Sequence, residues 1–449
     1  MKITFRAATL LLACAFPVSA AAQDEEGFHG YLRAGFGASS TGGPQSCFGL
    51  GGNTMKYRLG NECDAYTKFG YTKKVAQVDG VIFFTTIWLA GYSPTSEFNS
   101  ARTEINKAYI EARGLPFLNG GNAWIGKRDY LWSDVHMLDL WYVIPTYNST
   151  GAGLDQIPIG PGKFSYAVFK DNDYNVIGRP RTTDPAGGPA GGPAGEPPTV
   201  PGAVLGKVVD TSAAIRHMFV YQDLPVNRGG TFNAITTLVQ AQRGPELPGA
   251  PQRHGGWNMT LYHKQSVGGG VNTAGLQYGV GPGTGVGPGS NEGVALFGPS
   301  GSTVLGRDVT QWRAFDYLWI QPTPNFGMSL IALMQRDKSN VQGSTTWTSI
   351  GARPVFGINR YFKLQFEFGA DRLTDPAGGP ARRLTKLTIA PTISAGPGLW
   401  ARPELRAFVT YGKWNSAATP LVNAANSGGP VYGTRTSGLS TGVQAETFF

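Results

Sequence analysis

The sequence predicts an all-β chain folded as an antiparallel transmembrane β-barrel, and three observations carry that prediction. Segments of strand length alternate apolar and polar residues along most of the chain. Short turns such as Pro322-Thr323-Pro324-Asn325 alternate with long connections rich in Gly and Pro. An export leader opens the chain, yet no later run of about 18 apolar residues could cross a membrane as a helix.

The leader comes first in the chain. Lys2 and Arg6 precede an apolar run from Ala7 to Phe16 and small residues at Ser19 to Ala22, so residues 1–22 are expected to be a signal peptide. No domain boundary interrupts residues 23–449, which read as one barrel domain. The formal charge of +9 falls to +7 without Lys2 and Arg6, and only 15% of residues are charged. With no lysine-rich run, that excess does not support nucleic acid as a partner. Gly 64 and Pro 31 are high for a helical protein, and 12% of residues are aromatic. Cys14 leaves with the leader, whereas Cys47 and Cys63 remain in an exported chain and are expected to form one disulfide. Such a bridge would pin the first long loop, worth about 3 kcal/mol if it acts on chain entropy.

In Phe28 to Phe36 the residues Phe28, Gly30, Leu32 and Ala34 alternate with His29, Tyr31, Arg33 and Gly35, giving one apolar face and one face carrying Tyr31 and Arg33. A membrane barrel needs about 9–11 residues per strand. Eighteen segments of about that length follow, from 28–38 to 437–449 and including 138–147, 206–221 and 400–413. Long external loops are expected at 39–60, 92–103, 172–205, 280–306 and 414–436. Two of these hold the Gly/Pro tracts 184–193 and 279–289, which cannot bury a core, and a copy of the first recurs at 374–381. At the end of the chain Val443, Ala445, Thr447 and Phe449 alternate with Gln444, Glu446 and Phe448, which places the latter three in the lumen.

The chemistry is densest from Trp124 to Tyr142. Asp134, His136 and Asp139 offer two carboxylates and an imidazole, but no cysteine or second histidine cluster completes a metal shell. The same groups suit a polyol, whose hydroxyls they can bond while Trp132, Trp141 and Tyr142 offer flat apolar faces.

This stretch, read as Gly126-Lys127-Arg128 followed by Asp134-Val135-His136-Met137 and Asp139, resembles the maltoporins, trimeric sugar-selective outer-membrane porins. Further matching pieces follow in order: Phe28-His29-Gly30-Tyr31, Lys56 to Cys63, Gly151-Ala152-Gly153-Leu154, Trp400-Ala401-Arg402-Pro403 and Tyr411-Gly412-Lys413-Trp414. The resemblance implies an 18-stranded barrel whose loop around 124–142 folds inward as a constriction, with a disulfide in the place of Cys47 and Cys63. It implies a homotrimer in outer-membrane lipid that passes maltose and maltooligosaccharides without cofactor, metal or covalent chemistry.

The family's line of sugar-stacking aromatics falls on Tyr31, Tyr66, Trp400 and Phe448, with Phe98 contributed to a neighbouring subunit. A remaining position of that line lies near Val271 to Ala274, where this chain has no aromatic. The polar track falls on Arg33, Arg58, Asp134, His136 and Asp139, whose other reading is an ion network bracing the inward loop. Trp141 stands where the family has tyrosine, Trp132 where it has arginine and Lys68 where it has glutamate. Asn106 falls on another arginine position, with Arg102 close by. These departures bear on the solute. A porin for sucrose-like sugars or small anions remains the first alternative, with Lys68 favouring anions. The alternative of another class is a secreted soluble lectin or glycosidase with Asp134 and Asp139 as acid and base.

Overall fold

The computed structural model describes residues 25–50, 57–93, 95–96, 98, 101–128, 130–131, 133–143, 150–171, 214–242, 253–284, 305–340, 343–423 and 431–449. The expected leader 1–22, the tract 184–193 and Trp132 lie outside the described residues. Strands β1 to β5 span Gly27–Ser39, Ala65–Val78, Val81–Ser93, Arg102–Leu115 and Gly121–Lys127. A separate two-stranded ribbon follows, β6 at Ser133–Val135 and β7 at Leu140–Val143. Strands β8 to β14 span Thr150–Ile159, Gly162–Asp171, Ala214–Asn227, Gly230–Ala241, His254–Val267, Gly270–Val280 and Thr310–Thr323. Strands β15 to β20 span Phe326–Ser339, Gly343–Gly357, Phe362–Leu373, Arg382–Ser394, Glu404–Trp414 and Ser437–Phe448.

Leaving the ribbon aside, each strand pairs antiparallel with the next, and β1 closes on β20 from Tyr31 opposite Phe448 to Ser39 opposite Ser440. The result is a closed barrel of 18 strands, which has no free edge to protect.

Its two faces are inverted relative to a soluble protein. On β19 the buried, inward residues include Glu404, Arg406 and Thr410, while Leu405, Val409 and Tyr411 are exposed outward. On β18 Lys386, Thr388 and Thr392 point inward and Leu387, Ile389 and Ile393 outward. Around the wall Ile110, Ile125, Leu276 and Ile350 are each more than half exposed. A water-soluble sandwich would bury those side chains; only hydrocarbon outside and a polar lumen within make this arrangement favourable.

Three expected strands need correction. The described part of the segment 138–147 is not in the wall: Leu140–Val143 belongs to the ribbon, and the wall strand is β8, Thr150–Ile159. Alternation on β8 is hidden by Gly151 and Gly153, where a Cβ would run into the rings of Phe169 and Trp124. Of the segment 206–221, residues 206–213 lie outside the described residues; the strand β10 runs from Ala214 on past 221 to Asn227, with register shifts at Tyr221/Leu224 and Pro225/Asn227. Strand 400–413 begins only at Glu404, so Trp400 sits in the turn between β18 and β19.

The first long loop also departs from expectation, because its described parts lie within the barrel. Phe48 packs on Trp414 and Tyr432 at ring distances of 5.8 and 5.9 Å, and Leu59 is buried with Ala390 and Phe408. Tyr57 takes a left-handed backbone and lies over Gly351 and Gly369, where any Cβ would overlap its ring. Its hydroxyl bonds Ser349 at 2.7 Å. Four large apolar side chains in this loop, Phe48, Leu50, Tyr57 and Leu59, gain from burial what an external loop would forgo. Cys47 and Cys63 are joined across it, with Cα atoms 5.9 Å apart.

Candidate functional site

The ribbon 133–143 is held at its root. Arg128 Nη1 donates to Glu111 at 3.1 Å and to Asp155 at 3.3 Å, and the Tyr130 hydroxyl donates to Asp155 at 2.7 Å. Beyond the root, Val135, Met137, Leu138 and Leu140 are fully buried. Tyr142 packs on Phe315 and Tyr262 at ring distances of 4.9 and 5.4 Å, and Gln277 Nε2 donates to its carbonyl at 2.6 Å. Those partners are inward residues of β12, β13 and β14, so the apolar side of the ribbon lies against that wall inside the lumen.

Its polar edge meets other groups. A short helical turn at His136–Leu138 and a left-handed Asp139 reverse the chain. Arg353 on β16 donates to His136 Nδ1 at 3.4 Å, which leaves the ring proton on Nε2, 3.7 Å from Glu446 on β20. Burial, with the nearby Arg58 and Arg353, pushes the His136 imidazole down to about 3, against the pull of Glu446. Arg58 from the first loop donates its backbone N–H to the Met137 carbonyl at 2.9 Å and lies 4.0 Å from Asp139. Asp134 is half-buried, and burial pushes its carboxyl up to about 6, with Arg58 opposing and Asp139 adding. Among the described residues, no three His, Cys, Asp or Glu side chains gather to hold a metal ion.

The wall from β16 round to β1 is charged. Glu446 accepts from the Tyr31 hydroxyl at 2.9 Å, Arg406 at 2.9 Å, and Arg58 and Arg402 at 3.3 Å each. Glu62 joins Arg33 and Arg58 at 2.6 Å each, and Asp64 takes a second nitrogen of Arg33 at 2.7 Å. Glu404 binds Lys363, Arg402 and Arg406 at 2.7 Å each. On the next strands Glu367 bridges Arg353, Lys386 and the Leu59 N–H.

The aromatic residues anticipated from the resemblance border this network. Tyr31 and Tyr66 lie with ring centroids 6.0 Å apart, and Phe448 is the cross-strand partner of Tyr31. The Arg402 guanidinium lies 5.7 Å from the Phe448 ring. Trp400 meets the His136 ring edge-on at 5.1 Å. Phe98 is half-buried in the connection between β3 and β4, where the Ser96 carbonyl accepts from the Gly35 N–H of β1 at 3.4 Å. Trp141 is half-buried and pairs across the ribbon with Asp134, on the opposite side of the strand from Tyr142.

Sequence reasoning brings Tyr31, Tyr66, Trp400, Phe448, Arg33, Arg58, His136 and Asp139 into this region, and the structure assembles them with partners it did not name. Arg353, Lys363, Glu367, Lys386, Glu404 and Arg406 were missed. Their signal is a charged or polar residue at every second position between apolar neighbours, as in Lys363-Leu364-Gln365-Phe366-Glu367.

A family description for LamB porins matches residues 27–449. The chain belongs to the LamB porin family. It is therefore an outer-membrane porin, a channel rather than an enzyme, in the bacterial outer membrane. Solved structures that resemble this LamB porin include OmpT of Vibrio cholerae, at 11% identity and a TM-score of 0.41 over 94% of this chain and 97% of that one. Wzi of Escherichia coli, an outer-membrane carbohydrate-binding barrel, matches at 9% identity and 0.43 over 93% and 83%. A Salmonella typhi OmpF complex with daunomycin matches at 8% and 0.43 over 94% and 97%. Likeness at this level carries no argument about the solute.

Proposed function

We propose that this porin passes maltose and maltooligosaccharides by facilitated diffusion along the aromatic border Tyr66, Tyr31, Phe448 and Trp400, as a homotrimer exported with its leader removed. The observation that carries the reading is the juxtaposition of flat apolar rings with fixed charge: Tyr31 stands beside Tyr66 and Phe448 while its hydroxyl bonds Glu446. A pyranose has one apolar face and a rim of hydroxyls, and both surfaces find partners here. The carboxylates and guanidiniums already pair with one another, so they are oriented before sugar arrives and can exchange a bond to a neighbour for a bond to a hydroxyl. Weak, repeated sites of this kind let a solute enter and leave without energy coupling.

Titration of single-channel current with maltotriose tests the reading. Sugar should block ion flow in a saturable way, and Trp400→Ala should raise the half-blocking concentration about fivefold, the worth of one aromatic contact. Conductance without sugar should stay equal or rise. Absence of block in the unmodified protein overturns the proposal. A second reading, a porin for small anions, is favoured by Lys107 and Lys68 at 4.2 and 5.7 Å from the Trp88 ring on the lumen side of β3. Reversal potential in a salt gradient separates the two.

A further inference from the structure

One aromatic of the lumen wall stands in line with this border and has no part in the expectations drawn from the sequence. Trp319 shares the inward row of β14 with Phe315 and Tyr317, yet it is only half-buried whereas both of those are buried. Its ring meets that of Trp400 edge to face, with centroids 5.9 Å apart and planes at 89°. An edge-to-face pair leaves at least one face of each indole uncovered by the other. Across the strand pair, the partner of Trp319 is Val271, so the stretch 271–274 that lacks an aromatic has an indole directly beside it. Trp319 is three residues from Pro322, which puts it at the short-turn end of the barrel, beyond Phe315 and its contact with Tyr142 of the ribbon.

We propose that Trp319 is a further stacking platform for the apolar face of an oligosaccharide, continuing the row from Trp400 across to β14. This rests on the sugar-porin reading above. The order Tyr66, Tyr31, Phe448, Trp400, Trp319 then gives a long chain one more ring than a short sugar can occupy at once. The gain is therefore specific to length: a hexasaccharide uses the platform, and a disaccharide seated on the tyrosines does not. Trp319 contributes here by contact with the solute rather than by fixing Trp400.

The test compares half-blocking concentrations of maltohexaose and maltose in the full-length porin, for the unmodified chain, Trp319→Ala, Trp319→Phe and Trp400→Ala. Trp319→Ala should weaken maltohexaose block about fivefold and maltose block no more than about twofold, while Trp319→Phe, which keeps a ring and most of the volume, retains most of the affinity. Equal weakening for both sugars would overturn the proposal, because a disaccharide on the tyrosines does not reach the platform; so would a Trp319→Ala, Trp400→Ala double variant no weaker for maltohexaose than Trp400→Ala alone, the result expected of a residue that only braces Trp400. An unchanged Trp319→Ala beside a weakened Trp400→Ala would also overturn it and leave the sugar-porin reading standing. Failure of that reading looks different: no sugar blocks the unmodified channel.

Discussion

The two walls that face the ribbon differ in kind. On the side of β12 to β15 the inward residues include Tyr262, Phe315, Tyr317, Ile331 and Leu333, and the ribbon meets them through Tyr142 and the buried apolar group around Met137. On the side of β16 to β20 and β1 the inward residues include Arg353, Glu367, Glu404, Arg406, Glu446 and Arg33; the ribbon meets this wall through His136, and Asp139 lies near Arg58 of the first loop, itself bonded to Glu446. The first contact is packing, which fixes position because a well-packed core resists displacement. The second is a set of charge-assisted bonds whose members have alternatives within reach, such as the two acids that share Arg33. One wall holds the constriction, and the other can trade partners with a solute.

The largest effect should come from breaking the holding wall. Tyr142→Ala removes both ring contacts, and loss of a buried aromatic typically costs about 3 kcal/mol or more. With the ribbon free on that side, single-channel conductance should rise more than in Trp141→Ala or Trp400→Ala, and sugar discrimination should fall. Planar-bilayer recordings measure both. Unchanged conductance would mean that the charged wall alone positions the ribbon, and the contrast between the walls would collapse.

Next in size is Trp141, on the side of β7 opposite Tyr142. Its indole is larger than the tyrosine phenol expected there and has only a donor, so it narrows the opening and removes an acceptor. Trp141→Tyr should raise conductance, and Trp141→Ala should raise it further and admit sucrose faster in a liposome-swelling series over maltose, sucrose and arabinose. Three equal conductances would show that Trp141 points away from the path.

How much of this is legible in the sequence differs between the walls. The barrel follows from period-two alternation, and the closing strands read correctly because Val443, Ala445 and Thr447 alternate cleanly with Gln444 and Glu446. β8 is not legible, since Gly151 and Gly153 make room for rings that only the folded wall supplies. Alternation at 138–143 belongs to a ribbon of a few residues, which has the period of a strand without its length. For the site, the resemblance locates Tyr31, His136 and Asp139, but ion pairs such as Arg58 with Glu446 join positions 388 residues apart. No local pattern encodes such a pairing; register around the closed barrel sets it. The inward course of the first loop is hidden for the same reason, because the glycines that seat Tyr57 are on β16 and β17.

The smallest effect concerns Asp134, at the polar edge between the walls. Burial raises its carboxyl to about 6, so it carries a negative charge above that pH and loses it below. His136 does not answer this change, because its imidazole is pushed down to about 3 and stays neutral through the same window. Lowering the pH from 7.5 to 5 therefore makes the constriction more positive by the charge of one group. Ion preference should move toward anions across this window, and sugar affinity should change little because the rings do not titrate. The reversal potential in a salt gradient should be read at about 0.1 M ionic strength, where charges within about 10 Å are still felt. Asp134→Asn should fix the preference at its low-pH value and remove the step near pH 6. A step of the same size in Asp134→Asn would assign the titration to another group and would place Asp134 away from the conducted ions.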